Sequence, residues 1–218
     1  EMLALSGSRS GMAIEIRKNI PVAAGLGGGS SDAAAVLVAC NRLLRTRIDR
    51  ERLAEIGTRL GMDVPFFLFG PTALAKGRGE LLTSLPSPPK FWVLLVNPGF
   101  ETSTAWVHKN LNFGLTKKGD CTNIAGLKVS QIARSLHNDL ETVTAAAHPV
   151  IGEMERSLLD SGALGACMSG SGPTVFGIYP TEAACRAAAQ ALHTKGWHLY
   201  PAEILTGSPY KEHLESAP

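Results

Sequence analysis

The sequence predicts an α+β fold in two domains, with helices laid on one face of a sheet, and three observations carry that expectation. The elements read in the order strand, helices, hairpin, helix, strand, which is not the repeating strand and helix of a parallel sheet. The 218 residues are 44% hydrophobic, and a chain of this length buries roughly 70% of its unfolded surface without staples. The stretch PSPPK at 86–90 continues neither a helix nor a central strand, so it divides the chain into domains 1–88 and 89–218.

Along the chain, residues 1–5 read as the end of a helix stopped by Gly7. Residues 12–20 alternate, with Ile14 and Ile16 apolar and Glu15, Arg17 and Lys18 polar, the pattern of a half-buried strand. From Ser31 the period changes, and Ala35, Leu37, Val38, Asn41 and Leu44 predict a helix of about four turns. A second helix runs from Asp49 as N-cap to Leu60, with Gly61 as its stop. The apolar runs 64–69 and 91–96 are strand-length, far below the roughly 20 residues that span a bilayer. A short strand near Thr72–Lys76 precedes the loop KGRGE at 76–80.

Beyond the boundary, 91–99 is a buried strand ended by Pro98 and Gly99, and 112–126 is a polar loop. Helical stretches follow at 128–147, broken near His137–Asn138, and at 149–160, opening on Pro149. LGACMSGSGPTVFGIYP offers two strands around a glycine turn. Thr181 caps an alanine-rich helix reaching about Lys195, and WHLYPAEIL closes with a strand.

Charge narrows the function classes. With 21 Lys+Arg against 19 Asp+Glu, for a net +2, there is no electrostatic footprint for nucleic acid. The basic residues of RTRIDRERLAEIGTRL alternate with acids as on a solvated helix face. Cys40, Cys121, Cys167 and Cys185 are far apart, and the six histidines form no i, i+4 pair, so a reduced, cytoplasmic chain without a zinc cage is expected. No signal peptide or membrane span is read. Gly accounts for 23 residues and aromatics for 6%, which favours close backbone approach over large packed rings.

The strongest chemical signal is strand, then GLGGGSS at 25–31, then helix. Glycines let main-chain N–H groups crowd an anion, and the following helix adds about half a positive charge at its N-terminus. Ser30 and Ser31 offer hydroxyls to a phosphate oxygen or to Mg²⁺. The loop lacks the lysine of GxxxxGK[ST], and Ser30 stands where GxGxxG requires its last glycine. A plain glycine-rich turn explains such a loop equally well, but three further features bear on it. Asp63, at the mouth of VPFFLFG, either caps the next turn or accepts the proton of an attacking hydroxyl. The turn SGSG at 169–172 is either a hairpin loop or a second ring of backbone donors. Asn138–Asp139–Leu140–Glu141 reads best as a helix start. Arg78, between two glycines, reads as an exposed turn arginine.

PVAAGLGGGSSDAA, GMDVPFFLFG, KGRGE, NDLE and SGSGPTVFG, in this order and spacing, resemble the 4-diphosphocytidyl-2-C-methyl-D-erythritol kinases of the GHMP (galactokinase, homoserine, mevalonate and phosphomevalonate kinase) superfamily, from residue 1 to about 205. The resemblance implies a two-domain α/β sandwich and ATP-dependent phosphorylation of a hydroxyl on a small cytidine diphosphate methylerythritol substrate. Carried over, the ATP-phosphate loop is Pro21, Val22, Ala23, Ala24, Gly25, Leu26, Gly27, Gly28, Gly29, Ser30 and Ser31, with Ser31 toward Mg²⁺. Asp63 matches the catalytic aspartate and touches substrate. Gly170, Ser171 and Gly172 support the loop and lie near the substrate, and the protein is a monomer or homodimer. The family's N-terminal stretch with a catalytic lysine and base-gripping residues has no match here. The N-terminal domain is therefore expected to be incomplete by about 70 residues, and the 218-residue chain alone to be impaired. Met62 departs from the smaller residue usual there. Another GHMP kinase, of homoserine or mevalonate type, and a non-catalytic nucleotide-binding module are the alternatives. A dehydrogenase is disfavoured, since no acid ends a second strand about 20 residues on.

Overall fold

The structure is a computed structural model that describes residues 2–9, 11–112, 126–207 and 210. It falls into two compact units. The first comprises Glu1–Ile20, Gly27–Ser87 and Leu205–Pro218, the second Pro21–Leu26 and Pro88–Ile204. One crossing falls inside the proline-rich stretch, at Ser87–Pro88, where neither helix nor sheet can run on. Of the loop expected at 112–126, residues 113–125 lie outside the described residues. Among the described residues, no helix is long and apolar enough to cross a membrane.

In the first unit, α1 (Met2–Ser6), α2 (Gly28–Leu43), α3 (Arg50–Leu60) and α4 (Val64–Phe69) precede a hairpin of β1 (Ala73–Lys76) and β2 (Leu81–Ser84). Ala34, Leu37 and Val38 of α2, Leu53 and Ile56 of α3, and Val64 and Leu68 of α4 form its core. Asp49 caps α3, accepting the Arg52 amide at 2.7 Å. Three sequence expectations change here. Residues 12–20 form no strand, because none of the described segments supplies a ladder for their N–H and C=O groups, and Ile14, Ile16 and Ile20 are 54%, 54% and 41% exposed. The run 64–69 is a helix, with Pro65 in its first turn, where the missing N–H is no loss. Helix α2 begins at Gly28, three residues ahead of Ser31.

The second unit holds β3 (Trp92–Asn97), α5 (Thr104–Asn110), α6 (Val129–Arg134), α7 (Glu141–Ala147), α8 (Val150–Asp160), β4 (Ala166–Met168), β5 (Val175–Tyr179), α9 (Glu182–Leu192) and β6 (His198–Glu203). The strands form one antiparallel sheet in the order β4-β5-β3-β6. The central strand β3 pairs Leu94 with Gly177 on β5 and with Pro201 on β6. Pro201 is tolerated because β6 is an edge. Side chains alternate across the sheet. Leu94, Val96, Val175 and Tyr179 face Ile151, Met154 and Leu158 of α8 and Cys185, Ala188 and Leu192 of α9. Val93, Phe176 and Ile178 face the opposite way, onto Ile132 and Ala133 of α6. Helices therefore cover both faces, not the single face expected, because the buried strands carry apolar residues at consecutive positions.

Candidate functional site

The glycine segment divides between the two units, and each half is built differently. In the first unit, Gly27 is the left-handed N-cap of α2, with φ 63°. The first intrahelical bond runs from the Ser31 amide to the Gly27 carbonyl at 2.9 Å. The amides of Gly28, Gly29 and Ser30 precede that bond, so helix geometry leaves them without an intrahelical acceptor, at the positive end of the helix dipole. A Cβ on Gly28 would meet Ile20 at 3.1 Å and the Lys18 Nζ at 3.5 Å, while a Cβ on Gly29 would meet nothing within 4 Å. Lys18 is ion-paired with Asp32 in the first turn. The Ser31 hydroxyl donates to the Gly28 carbonyl at 2.9 Å, which commits its proton and leaves its oxygen lone pairs to accept.

Asp63 stands at the head of α4 and is exposed. Its side chain makes no capping hydrogen bond to its own helix, so the bland alternative of a cap is not realised. Two contacts bring its surroundings to the start of α2. A Cβ on Gly61 would lie 3.7 Å from the Ser30 hydroxyl, and one on Gly27 would lie 3.1 Å from the Phe67 ring. A Cβ on Gly79 would sit 3.8 Å from Asp63 Oδ1, which places the KGRGE turn beside the same carboxylate. Arg78 lies in that turn, its amide donating to Glu80 at 2.7 Å.

In the second unit, Pro21–Leu26 is seated on the turn at 169–172. The Thr102 amide donates to the Ala23 carbonyl at 3.1 Å, and the Thr174 amide to the Ala24 carbonyl at 3.4 Å. The Ser169 hydroxyl donates to the Gly25 carbonyl at 2.8 Å. Three successive carbonyls thus each have a partner in the second unit. In a trans peptide the next residue's N–H points oppositely, so the amides of Ala24, Gly25 and Leu26 are turned away from those partners. Ser171 is buried, with its hydroxyl 2.8 Å from that of Thr104. Pro21 is half-buried and Val22 exposed.

The sequence reading undervalued NDLE. Asn138 lies in the turn that leads into α7, its Oδ1 accepting the Leu140 amide at 3.0 Å, and its Nδ2 also donates to the carbonyls of Met168 and Gly170, both at 2.8 Å. Glu141 accepts the Met168 amide at 2.9 Å. The signal available in sequence was an asparagine whose amide group exceeds what a cap uses.

Beneath this turn lies a carboxyl pair. Burial pushes the Glu155 carboxyl up to about 7, helped by its hydrogen bond to Glu141 and by that residue's charge, with Arg156 opposing. Burial also pushes the Cys167 thiol up to about 12, helped by the charges of Glu141 and Glu155, so it is no nucleophile at neutral pH. Folding raises the affinity of Glu155 for its proton, so its contribution to stability is complete below pH 4.5 and declines as pH rises through about 7. Glu155→Gln, which carries a permanent donor, is expected to flatten that decline. Urea unfolding between pH 4.5 and 8 checks this, and an unchanged slope would count against the shared proton.

Comparison with known proteins places this geometry. Residues 1–71 match the family described as GHMP kinases N terminal domain, and residues 124–198 match GHMP kinases C terminal. The chain is 49% identical over 205 residues to the 4-diphosphocytidyl-2-C-methyl-D-erythritol kinase of Geobacter metallireducens, covering 94% of this chain and 73% of that protein. It is 51% identical over 207 residues to the kinase of the same name from Pelobacter propionicus, with coverage of 94% and 73%. It superposes on a crystal structure of a 4-(cytidine 5'-diphospho)-2C-methyl-D-erythritol kinase with a TM-score of 0.77 at 33% identity, over 92% of this chain and 74% of that one. A homoserine kinase from Cytophaga hutchinsonii shares the fold, with a TM-score of 0.68 at 22% identity, over 88% of this chain and 69% of that one. With relatives this similar across nearly its whole length, the chain belongs to the GHMP kinases, in the branch of the 4-diphosphocytidyl-2-C-methyl-D-erythritol kinases.

Proposed function

We propose that a polypeptide carrying this chain catalyses ATP-dependent phosphorylation of the 2-hydroxyl on the methylerythritol part of 4-diphosphocytidyl-2-C-methyl-D-erythritol, a step of the non-mevalonate route to isoprenoid precursors. One observation carries the reading: the first turn of α2 presents amides without intrahelical acceptors beside a Gly29 whose missing side chain leaves open space. Such a surface suits a phosphate group. Within the loop Pro21–Ser31, the main-chain amides of 24–30 then hold the triphosphate of ATP, and the acceptor-ready oxygen of Ser31 fits a hard cation that prefers oxygen ligands. Bound Mg²⁺ would neutralise charge on the phosphate oxygens. Asp63 takes the proton of the substrate hydroxyl as that oxygen bonds to the γ-phosphorus and the bond to ADP breaks. Gly170, Ser171 and Gly172 contact the substrate.

Gly29→Ala tests the cradle. Alanine in an open helical position is favoured over glycine by roughly 1 kcal/mol, so the melting midpoint should hold or rise. A methyl group in the cradle should nevertheless weaken MgATP binding by roughly tenfold to a hundredfold, measured by titration calorimetry. Unchanged affinity would show that no phosphate approaches this backbone.

A further inference from the structure

The carbonyls of Ser169, Gly170 and Ser171 in the turn at 169–172 all accept hydrogen bonds, and a single face of one short helical segment does much of the gripping. Asn138, Glu141 and Thr144 are spaced i, i+3, i+6. Asn138 Nδ2 reaches the Met168 and Gly170 carbonyls at 2.8 Å each, Glu141 takes the Met168 amide at 2.9 Å, and the Thr144 hydroxyl, fully buried, donates to the Ser171 carbonyl at 3.1 Å. Within the turn, the Gly172 amide donates to the Ser169 carbonyl at 2.9 Å and the Ser169 amide to the Thr174 carbonyl at 2.8 Å. The Ser171 amide belongs to the same peptide plane as the Gly170 carbonyl. Because that peptide is trans, a carbonyl pulled toward Asn138 drives the Ser171 N–H the opposite way.

We propose that Asn138 is a positioning residue that prevents the Gly170–Ser171 peptide from flipping, and so keeps the Ser171 amide aimed away from α7 as a donor for the anionic substrate. This rests on the reading of the turn as a substrate contact. The orientation is also a property of the protein without ligand. An unanchored peptide next to Gly170, at φ +56°, would rotate freely, since glycine tolerates either sense. The carboxamide of Asn138 is suited to the task because its two sides are fixed in role. Its oxygen is taken by the Leu140 amide, so its NH₂ must face the two carbonyls.

Asn138→Asp keeps the shape and reverses the donor. An ionised carboxylate repels both carbonyls and attracts the Ser171 amide, which favours the flipped peptide. A protonated carboxyl restores a donor, and this occurs near the ordinary aspartate pKa of about 3.9. In ¹⁵N–¹H spectra of the full chain without ligand, the Gly170 and Ser171 amides of the variant are expected to shift at pH 7 and to return toward the wild-type positions as pH falls below about 4.5. The titratable neighbours are Glu141, Glu155, Cys167, Asp139 and His137, the last two paired at 2.8 Å. All are present in the wild type, whose titration serves as the baseline. Asn138→Ala introduces no charge. It is expected to broaden or shift the Gly170 and Ser171 amide resonances, because an unanchored peptide samples both senses, while the Leu94 and Val96 amides on β3 keep their wild-type positions, and it serves if the aspartate variant does not fold. Wild-type positions for both amides in Asn138→Asp at neutral pH, or wild-type positions and line widths for both in Asn138→Ala, would overturn the proposal. Failure of the wild-type chain to bind MgATP would instead sink the kinase reading and leave these spectra to stand on their own.

Discussion

Gly25→Ala is expected to cost about 3–5 kcal/mol and to unseat Pro21–Leu26 from the 169–172 turn. Gly25 has φ +74°, and an added Cβ would overlap the Ser169 carbonyl oxygen and stand 3.0 and 3.1 Å from the Gly172 amide and carbonyl. All three obstacles are main chain, so no side-chain rotation relieves them. The left-handed conformation alone costs a non-glycine residue roughly 1–2 kcal/mol. The remainder comes from the hydrogen bonds at Ala23, Ala24 and Gly25, worth about 0.5–1.5 kcal/mol each. Gly196→Ala is the control, since Gly196 has φ +75° and nothing within 4 Å. It should show only the conformational cost. Denaturant unfolding of both variants measures the difference, and hydrogen exchange at the Thr102 and Thr174 amides locates it. Equal costs for the two substitutions would mean that close approach at Gly25 contributes nothing.

That contrast also shows what the sequence could convey. Local signals were legible wherever one segment contains its own reason. Asp49 and Thr181 cap their helices with the expected side-chain bonds, and the strands flanking SGSG pair antiparallel around it. Failures occurred where the answer depended on a distant partner. The alternation of 12–20 specified a face but not a neighbour to pair with, and a strand exists only with one. The run 64–69 has no period to separate a buried helix from a buried strand; its packing against Leu37, Leu53 and Ile56 decided the matter. Helix α5 was missed because its cap, Ser103, sits among three candidate residues in ETST. Asn138 was underestimated for the same reason as the covered second face of the sheet, namely that its partners at 168 and 170 are thirty residues away. Within the candidate site, residue type alone suggests roles, because glycines suit a phosphate loop and a carboxylate suits a proton acceptor. The direction in which each amide points is not readable from type, since it is set by carbonyls bound elsewhere in the second unit.

Asp63→Asn bears most directly on the chemistry. In any polypeptide that carries this chain and turns over, the substitution is expected to lower kcat by roughly a hundredfold to ten-thousandfold, the range for loss of a positioned general base. MgATP affinity should stay within about twofold, because the donors assigned to phosphate are main-chain amides of 24–30 and owe nothing to residue 63. Stability should also be nearly unchanged. The carboxylate is exposed and caps no helix, so the isosteric amide removes no hydrogen bond from α4, and surface substitutions of this kind usually fall within about 0.5 kcal/mol. The three readouts separate the alternatives. A capping role predicts a lower melting temperature with turnover intact. A phosphate- or cation-holding role predicts that affinity for MgATP falls along with the rate. A nucleotide-binding module without catalysis predicts that neither wild type nor variant yields phosphorylated product with any acceptor, whereas the kinase reading predicts product from 4-diphosphocytidyl-2-C-methyl-D-erythritol, formed far more slowly by the variant than by the wild type. ADP release coupled to a reporter, with product confirmed by mass, distinguishes these outcomes. Full turnover by Asp63→Asn would remove Asp63 from the reaction and require another acceptor for the hydroxyl proton.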